Sequence, residues 1–543
     1  MSFDLQNRSY LIMKNKLISG AFWMSFGSIF SRILGIVYLI PWLLMFGNDQ
    51  NQAQAVFNSA YTPYSLFLAL GTAGFPTAIA RQVASYNSQN RFRNSVHVFR
   101  YGFIFMVLTG AFCGLLLYLA APLIAAHSAV VSKDSATTAI YCLVPTMVIL
   151  PPMSFIRGFF QGNQDMKPFG VSQLWEQFVR VLFILGASFV VLRVLHKSYT
   201  VAVNYSTFAT FVGTIASYIY LLNYARRKMP EYRYFYQESQ PLQKQNIAKL
   251  FRNIIADALP FVFIGSGITI TQFFDQITFK SIVTNLLGAT VQQAELMYTY
   301  FAANPNKITI VVVSLTIAIS ETTLPLLARY YEQNDKRKIS EIIGQNIDLM
   351  FLVLTPAVTL LLALSWEVNG IFFQFDTYAA KLLAVALVSS ISLALFTDFF
   401  TIIQAMGKHR IAIRYLVVGL ILKLVLQIPC VVLGGAFGAI ISTMTAFLAV
   451  SLLAFKKISE DNLVPGQLKN TRRILVVNIL LCCGTLMVKY LMNLLYVPQT
   501  KIIAFLYAGI FAFLFVTVYV LLLDKTKLSQ AVMGKTFILK RKH

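Results

Sequence analysis

The sequence predicts an all-α polytopic membrane protein with about fourteen transmembrane helices, and three observations support this prediction. Hydrophobic residues make up 57% of the 543 positions and charged residues only 12%, with a mean hydropathy of +0.66. Soluble globular chains carry about 25% charged residues. The apolar residues form runs long enough to cross ~30 Å of hydrocarbon, which takes about 20 helical residues. Finally, basic residues are concentrated in every second segment between these runs.

The apolar runs give the predicted helices in chain order. They cover residues 17–46, 54–85, 95–126, 135–160, 170–194, 200–225, 248–282, 288–328, 339–365, 377–405, 409–433, 436–456, 471–494 and 500–523.

The placement of Lys and Arg predicts the orientation of the chain. Of the 45 basic residues, 34 lie in the N-terminal segment, in alternate loops and in the C-terminal segment, against about 7 on the opposite side. Cytoplasmic loops of membrane proteins carry such an excess of Lys and Arg. We therefore expect both termini to be cytoplasmic.

The charges and cysteines also exclude several classes of protein. The net charge of +24 is spread over short loops, whereas a nucleic-acid-binding protein gathers its basic residues on one face. The five cysteines lack metal-ligand spacing, so no metal or other cofactor is predicted. A membrane-embedded glycosyltransferase would need acidic residues in a large loop. The longest loop, 226–248, is basic and has only Glu231 and Glu238.

An internal repeat predicts two lobes. The segment Phe159–Lys167 after the fourth helix resembles Ile402–Arg410 after the tenth, with an offset of 243 residues, and Pro76–Arg81 resembles Pro325–Arg329. We therefore predict two like-oriented six-helix repeats, helices 1–6 and 7–12, forming two lobes around a central cavity, with two further C-terminal helices. The predicted boundaries are 1–225 for the N-lobe, 226–247 for a basic cytoplasmic linker, 248–457 for the C-lobe and 458–543 for the C-terminal helices and tail. Paired bundles of this kind are typical of transporters.

Arg32 is the clearest charge within an apolar run. It lies about 22 Å along the first predicted helix, beside the small residues Gly27, Ser31 and Gly35. A charge at membrane depth indicates either a functional site or a buried ion pair. We predict that Arg32 faces a hydrated cavity, with a structural salt bridge as the alternative.

Two further groups of polar residues belong to predicted helices seven and eight. Lys307 follows Asn304 and Pro305, a sequence that favours the start of a helix, and Asp275 lies in the preceding predicted helix. Lys307 either neutralises Asp275, or both residues line the cavity. Glu321, at the end of helix eight, is a candidate partner for a buried cation or for a loop arginine. With Arg32 and Lys307, we predict that Asp275, Asn304 and Glu321 line the substrate-binding cavity.

The remaining intramembrane charges divide into a candidate coupling group and an ion pair. Lys423 with Gln427 one turn later, and Asp398 in helix ten, are candidates for ion coupling or for a structural charge. Glu176 and Arg180 are spaced i, i+4, which favours an ion pair on one helix. A cationic cavity would suit an anionic amphiphile, because arginine binds phosphate with two hydrogen bonds.

Several motifs resemble those of a known family. They are Phe30–Gly35, Gly71–Arg81, the loop segment Arg157–Pro168 and, more weakly, Gln404–Lys408. The loop motif includes Arg157, Gly158, Gln161, Gly162, Lys167 and Pro168. On these residues the chain resembles the MurJ-type lipid II flippases, in the YtgP/SpoVB-like branch of the multidrug/oligosaccharidyl-lipid/polysaccharide (MOP) exporter superfamily.

The resemblance implies movement of an undecaprenyl-pyrophosphate-linked cell-wall precursor, lipid II, from the inner to the outer leaflet of the bacterial cytoplasmic membrane by alternating access. Arg32 matches the family's helix-one arginine and would contact the pyrophosphate. The lipid tail would lie outside the cavity or in a groove of helices thirteen and fourteen. The implied partners are the lipid-linked saccharide, membrane lipids and cell-wall synthesis enzymes.

The sequence departs from the family pattern at three positions. Tyr38 replaces a second helix-one cation, residues 66–73 lack the helix-two arginine, and Lys307 stands near the position of a helix-eight arginine. Some members have a sodium site on helices seven, eleven and twelve. Lys423 falls near it, and we hypothesise that its ammonium takes the place of the ion. A flippase for another polysaccharide precursor and a MATE-like multidrug or cation antiporter remain alternatives.

Overall fold

We describe the protein from a computed structural model. It covers residues 33–72, 74–243, 247–462 and 468–533, together with Trp23, Gly27, Phe30 and Ser31. Every regular element in these residues is helical, and they contain no strand. The predicted all-α membrane fold is thus confirmed.

The helices are numbered here in chain order. Those before Leu287 are α1 (Leu39–Phe46), α2 (Gln50–Thr72), α3 (Phe75–Ser88), α4 (Phe92–His127), α5 (Lys133–Gly162), α6 (Lys167–Phe189), α7 (Tyr199–Glu238), α8 (Ile247–Gly265) and α9 (Gly267–Leu287). The later ones are α10 (Val291–Tyr298), α11 (Pro305–Glu332), α12 (Lys336–Ala363), α13 (Ser365–Phe372), α14 (Thr377–Ala405), α15 (His409–Gly434), α16 (Ala436–Asn462), α17 (Lys469–Leu495), α18 (Lys501–Lys525) and α19 (Leu528–Met533). A 3₁₀ turn at Gly47–Asp49 and π-helical turns at Val190–Val194 and Thr299–Ala303 interrupt them.

Twelve segments of the described residues are long and apolar enough to cross a membrane. One of them, Ile33–Thr72, folds back on itself. This reversal is seen in the rings of Trp42 and Phe57, which lie 5.2 Å apart. In a straight helix these residues would be separated by about 22 Å. Gly47, with a φ of 57°, allows the reversal. The predicted total of fourteen spans stays a prediction.

The chain forms two compact units, Met1–Ile277 and Thr278–His543. The division falls inside α9, later than the predicted linker at 226–247. Two hydrogen bonds show why the first part of α9 belongs to the first unit. Gln276 donates to the backbone oxygen of Ser59 and to the hydroxyl of Ser128, both at 2.8 Å. The predicted boundaries of the lobes stay a prediction.

The two units repeat one packing pattern. In the first, α5 packs against α2, α4 and α7, and α6 packs against α7. In the second, α14 packs against α11, α12 and α16, and α15 packs against α16. Each helix of the second set corresponds in order to one of the first, so the predicted repeat extends to the helix pairs.

The turns repeat as well. After α5, Gln164 has a φ of 60° and its N–H donates to the Gln161 oxygen. Gly407, 243 residues later, has a φ of 70° and donates to the Gln404 oxygen. Such left-handed residues satisfy the last carbonyls of a helix. The offset matches the one visible in the sequence.

The C-terminal helices pack on the second unit. A buried apolar cluster joins α12 to α17 and α18, and the Tyr519 hydroxyl donates to the Leu352 oxygen at 2.7 Å. Near the other end of α17, the Lys489 ammonium lies 2.6 Å from the Glu367 carboxylate of α13, and both side chains are buried. Helices α17 and α18 are therefore integral to this unit.

Candidate functional site

Helix α6 carries a line of polar residues inside the first unit. Pro168 lies in its first turn. Backbone N–H groups in the first turn make no hydrogen bond within the helix, so proline, which lacks this group, is tolerated there. Ser172, Glu176 and Arg180 follow at intervals of four, which places them on one face of the helix. That face meets α5 and α7.

Arg157 of α5 binds this face through two nitrogens of its guanidinium group. Its Nε donates to the Ser172 hydroxyl at 2.9 Å, and its Nη2 donates to Glu176 at 2.9 Å and to Ser217 of α7 at 3.0 Å. Only 8% of Arg157 is exposed. A buried arginine needs such partners, because an unpaired charge in a low-dielectric interior is strongly unfavourable.

Arg180 shares the same carboxylate. Its Nη2 lies 3.0 Å from the second oxygen of Glu176, and its Nη1 donates to Gln177 at 3.4 Å. The Arg180 Nε is buried and has no hydrogen-bond partner in the described part of the chain. We call Arg157, Glu176 and Arg180 the arginine cluster. Two guanidinium groups on one carboxylate leave a net charge of +1 and an unused donor.

Tyrosines from α1 and α2 adjoin the arginine cluster. Tyr38, Tyr61 and Tyr64 lie close enough to Arg180 to interact with it electrostatically. The Tyr61 hydroxyl bonds to Thr210 of α7, whereas the buried Tyr64 hydroxyl has no partner among the described residues. The site therefore combines a cation with hydroxyl groups, a set that suits an anionic oxygen ligand.

The loop motif predicted from the sequence has a largely structural role. A Cβ at Gly158 would lie 2.4 Å from the Pro76 oxygen, and one at Gly162 would lie 2.7 Å from the Ala80 oxygen. These glycines let α5 approach α3 closely. Lys167 is exposed, with its ammonium 5.9 Å from the Trp23 ring, and Gln161 is half-buried.

Polar side chains brace the turn that follows. Asn87 donates to Asn163 at 2.9 Å, and the Tyr224 hydroxyl donates to Asp165 at 2.6 Å. The loop after α5 is thus held by α3 and α7.

The second unit contains a fully buried lysine. The Lys423 ammonium contacts three oxygens, those of Gln427 at 2.6 Å, Ser442 at 2.7 Å and the Ala439 backbone at 3.1 Å. Gln427 also donates to Thr278 of α9 at 3.4 Å. The predicted pair of Lys423 and Gln427 thus meets α9 and α16, the helices that correspond to predicted helices seven and twelve.

Asp398 of α14 is in contact with α11 and α12. Asn346 donates to both of its carboxylate oxygens, at 2.7 and 2.8 Å, and the Ser320 hydroxyl bonds to one of them.

Three of the other predicted site residues, Asn304, Lys307 and Asp275, are described by the structure. Arg32 and the side chain of Glu321 lie outside the described residues. Asn304 is buried next to Pro305, and its side-chain oxygen accepts no hydrogen bond from the described residues. Lys307 lies in the first turn of α11, and Asp275 is buried in α9, in the other unit. Their predicted pairing stays a prediction.

Sequence reasoning identified the Glu176–Arg180 ion pair but left it out of the candidate site. The structure shows that pair and adds Arg157, which the sequence assigned only to the loop motif. The available signal was Arg180 itself, a charge in the middle of an apolar helix.

The described residues contain no group of three or more His, Cys, Asp and Glu side chains that could hold a metal ion.

A repeated helical membrane fold with a cationic cluster inside it defines a polytopic membrane transporter. Residues 17–331 match the family described as "Polysaccharide biosynthesis protein". The chain is 31% identical to the lipid II flippase MurJ of Bacillus subtilis (strain 168) over 453 residues, which cover 82% of each protein. It is also 20% identical to stage V sporulation protein B of the same organism, over 87% of this chain and 88% of that protein. The chain therefore belongs to the polysaccharide biosynthesis protein family.

Solved structures agree on the fold. A lipid II flippase MurJ in an inward closed conformation has a TM-score of 0.63 at 14% identity, covering 94% of this chain and 99% of that one. An inward-facing MATE transporter of the MOP superfamily has a TM-score of 0.61 at 11% identity, covering 79% and 95%. The fold is thus that of the MOP transporters, and the MurJ and MATE proteins among these matches are flippases and transporters rather than enzymes.

Proposed function

We propose that this protein is a flippase that moves lipid II, an undecaprenyl-pyrophosphate-linked precursor of peptidoglycan, from the inner to the outer leaflet. The observation that carries the proposal is the 31% identity to the B. subtilis lipid II flippase over 82% of both chains. That similarity includes the helices on both sides of the unit boundary.

The arginine cluster gives the proposal its chemistry. A pyrophosphate offers several charged oxygens, and guanidinium groups bind such oxygens through paired hydrogen bonds. Arg180 has an unused Nε donor and a net positive surrounding. On this proposal Arg180 and the predicted Arg32 contact the pyrophosphate. A MATE-like cation antiporter would instead need an acidic pocket.

An apolar groove on the same helix offers a surface for the lipid tail. It has a volume of about 610 Å³ and is lined by side chains of α6 and α7 that include Val179 and Phe183, the neighbours of Arg180 along α6. A polyprenyl chain gains free energy when its methylene groups leave water or pack against such side chains. This surface is an alternative to the predicted groove at the last two helices.

The proposal also covers the transport cycle, the orientation of the protein in the membrane and its partner enzymes. Two repeated units are the usual basis of alternating access, in which one bundle rocks against the other. We place the protein in the bacterial cytoplasmic membrane with both termini inside, with lobes at the predicted boundaries. Cell-wall synthesis enzymes would supply and consume the precursor.

The test is outer-leaflet exposure of lipid II in cells depleted of their own flippase. Cells that express this protein should regain exposure, and an Arg32→Ala variant at matched expression should lose it. A wild-type protein that is well expressed in the membrane but restores no exposure would reject lipid II as the cargo.

A further inference from the structure

Asp398 is a buried carboxylate in α14 of the second unit. It is 0% exposed, and it lies seven residues before the end of the helix at Ala405, about 10 Å along the axis. An ionised carboxylate in such a place needs a cation or several hydrogen-bond donors.

The partners of Asp398 come from two neighbouring helices and are neutral. Asn346 of α12 donates its amide to both carboxylate oxygens, and Ser320 of α11 bonds to Oδ1. The Asn346 oxygen is itself fixed, because the Thr323 hydroxyl donates to it at 2.8 Å. This contact orients the amide with its nitrogen toward Asp398.

Ionisable groups occur on the helices packed against α14, but within the described chain none forms an ion pair with Asp398. On α12, Asp348 accepts a hydrogen bond from Thr471 instead. On α16, Lys457 pairs with Glu460 and Asp461. The side chain of Glu321, next to Ser320, lies outside the described part of the chain. The other charged or titratable side chains on the packed helices are those of Lys307, Arg329, Glu332, Lys336, Arg337, Lys338, Glu341, Glu367, His409, Arg410, Arg414, Lys423 and Lys456.

Ser320 can serve both charge states of the carboxyl group. Its oxygen lies 3.0 Å from the backbone oxygen of Thr316, which is a second acceptor for its single proton. When Asp398 is ionised, Ser320 donates to it. When Asp398 is protonated, its O–H donates to Ser320, and Ser320 donates to Thr316. No polar group loses its partner in either state.

We propose that Asp398, Ser320 and Asn346 form a proton-binding site that joins α11, α12 and α14. One proton from water adds to a carboxylate oxygen, the charge of the site falls from −1 to 0, and the hydrogen bond to Ser320 reverses direction. These three helices pack against one another, so binding or release of the proton changes the hydrogen bonds that join them. The proposal concerns proton binding and stands apart from the identity of the cargo.

Infrared difference spectroscopy of the purified full-length protein tests this directly, without any lipid substrate. Spectra are collected from about pH 4 to about pH 9, which spans the carboxyl titrations of folded proteins. A protonated, buried carboxyl group gives a C=O stretching band that grows as the pH falls. Asp398→Asn should remove one such band. Asp348→Asn, on the neighbouring helix, should retain it.

A second variant tests the network and does not depend on the folding of the first. Asn346→Ala removes two donors that favour the ionised form, so the band should appear at a pH about one unit higher. The same band in a folded Asp398→Asn protein, or an unshifted titration in Asn346→Ala, would overturn the proposal. So would loss of the wild-type band when sodium replaces potassium at fixed pH, because the site would then bind a metal cation.

Discussion

The arginine cluster contains more positive than negative charge. Glu176 accepts hydrogen bonds from both Arg157 and Arg180, one to each carboxylate oxygen. Arg157 is also bonded to two serines, whereas the Arg180 Nε is unused in the described chain. Arg157 therefore serves mainly to position the cluster, and Arg180 is the member available to a ligand.

Replacing Arg180 by Gln should reduce precursor transport by about tenfold to a hundredfold, since a hydrogen bond to a charged group contributes about 1.5–3 kcal/mol. Folding should be retained, because Glu176 keeps its bond to Arg157. The measurement is outer-leaflet exposure at matched expression. Arg193→Gln, an exposed arginine further along the same helical segment, is the control and should leave exposure unchanged. Equal losses in both variants would remove Arg180 from the site.

Only part of this cluster was predictable from the sequence. Glu176 and Arg180 lie one helical turn apart, so their spacing alone predicts the pair. Arg157 and Ser217 lie on other helices, and their approach depends on how α5, α6 and α7 pack. Periodicity shows which face of a helix is polar, but it does not show which polar faces meet.

The buried ammonium of Lys423 leads to a prediction about the sodium dependence of transport. Three oxygens converge on its ammonium, so Lys423→Ala would leave them around a small buried space. We expect transport by the wild type to be unchanged when potassium replaces sodium at constant membrane potential. The variant should transport more slowly and be stimulated by sodium. Sodium dependence of the wild type would refute the idea that the ammonium takes the place of an ion.

Helix packing explains the glycines of the loop motif. Gly158→Ala should destabilise the protein by about 1–3 kcal/mol, because the added Cβ would lie 2.4 Å from the Pro76 oxygen and force α3 and α5 apart. Gly186→Ala is the matched control. No atom lies within 4 Å of the added Cβ there, so this variant should be neutral or slightly stabilising. Thermal unfolding in detergent compares them, and equal melting temperatures would contradict the packing role.

The ion pair between α13 and α17 allows another test of how elements are held. Lys489→Met should destabilise the second unit by about 3–5 kcal/mol, because it leaves the buried Glu367 carboxylate without its cation. The double variant Glu367→Leu with Lys489→Met should regain most of the loss, since two apolar side chains need no partner. A double variant no more stable than Lys489→Met would show that Glu367 has another role. Thermal unfolding again provides the measurement.

Interruptions of the helices were the hardest elements to predict. The sequence predicts one at Asn304 and Pro305, because proline cannot donate to the preceding turn, and a bend in the seventh predicted helix, which carries Pro260, Gly265 and Gly267. The structure places a π-helical turn at Thr299–Ala303 just before it and breaks the preceding span at Ser266. Such breaks depend on packing against neighbouring helices, so hydrophobicity alone predicts a continuous run.

For the whole chain, the sequence predicts the repeat from the matching segments Phe159–Lys167 and Ile402–Arg410, and the structure shows that a further pair of turns repeats as well. Asn90 and Asn334, 244 residues apart, have φ values of 55° and 54° and follow α3 and α11. Asparagine and glycine tolerate this conformation better than other residues, which preserves a recognisable motif. The helices between these turns need only be apolar, so their sequences diverge without losing the fold.

The distribution of basic residues makes the last prediction, which concerns the orientation of the whole chain. Gln89, between α3 and α4, lies on the side with 34 Lys and Arg residues, and Gln499, between α17 and α18, lies on the side with about 7. Both side chains are exposed. In a protein whose five cysteines are replaced by serine, Gln499→Cys should react with a membrane-impermeant maleimide on intact cells. Gln89→Cys should react only after the cells are permeabilised. The opposite labelling pattern would show that the chain has the inverse orientation in the membrane. The side of the protein assigned here to the cytoplasm would then face the outside, which is incompatible with the proposed export of a precursor made in the cytoplasm.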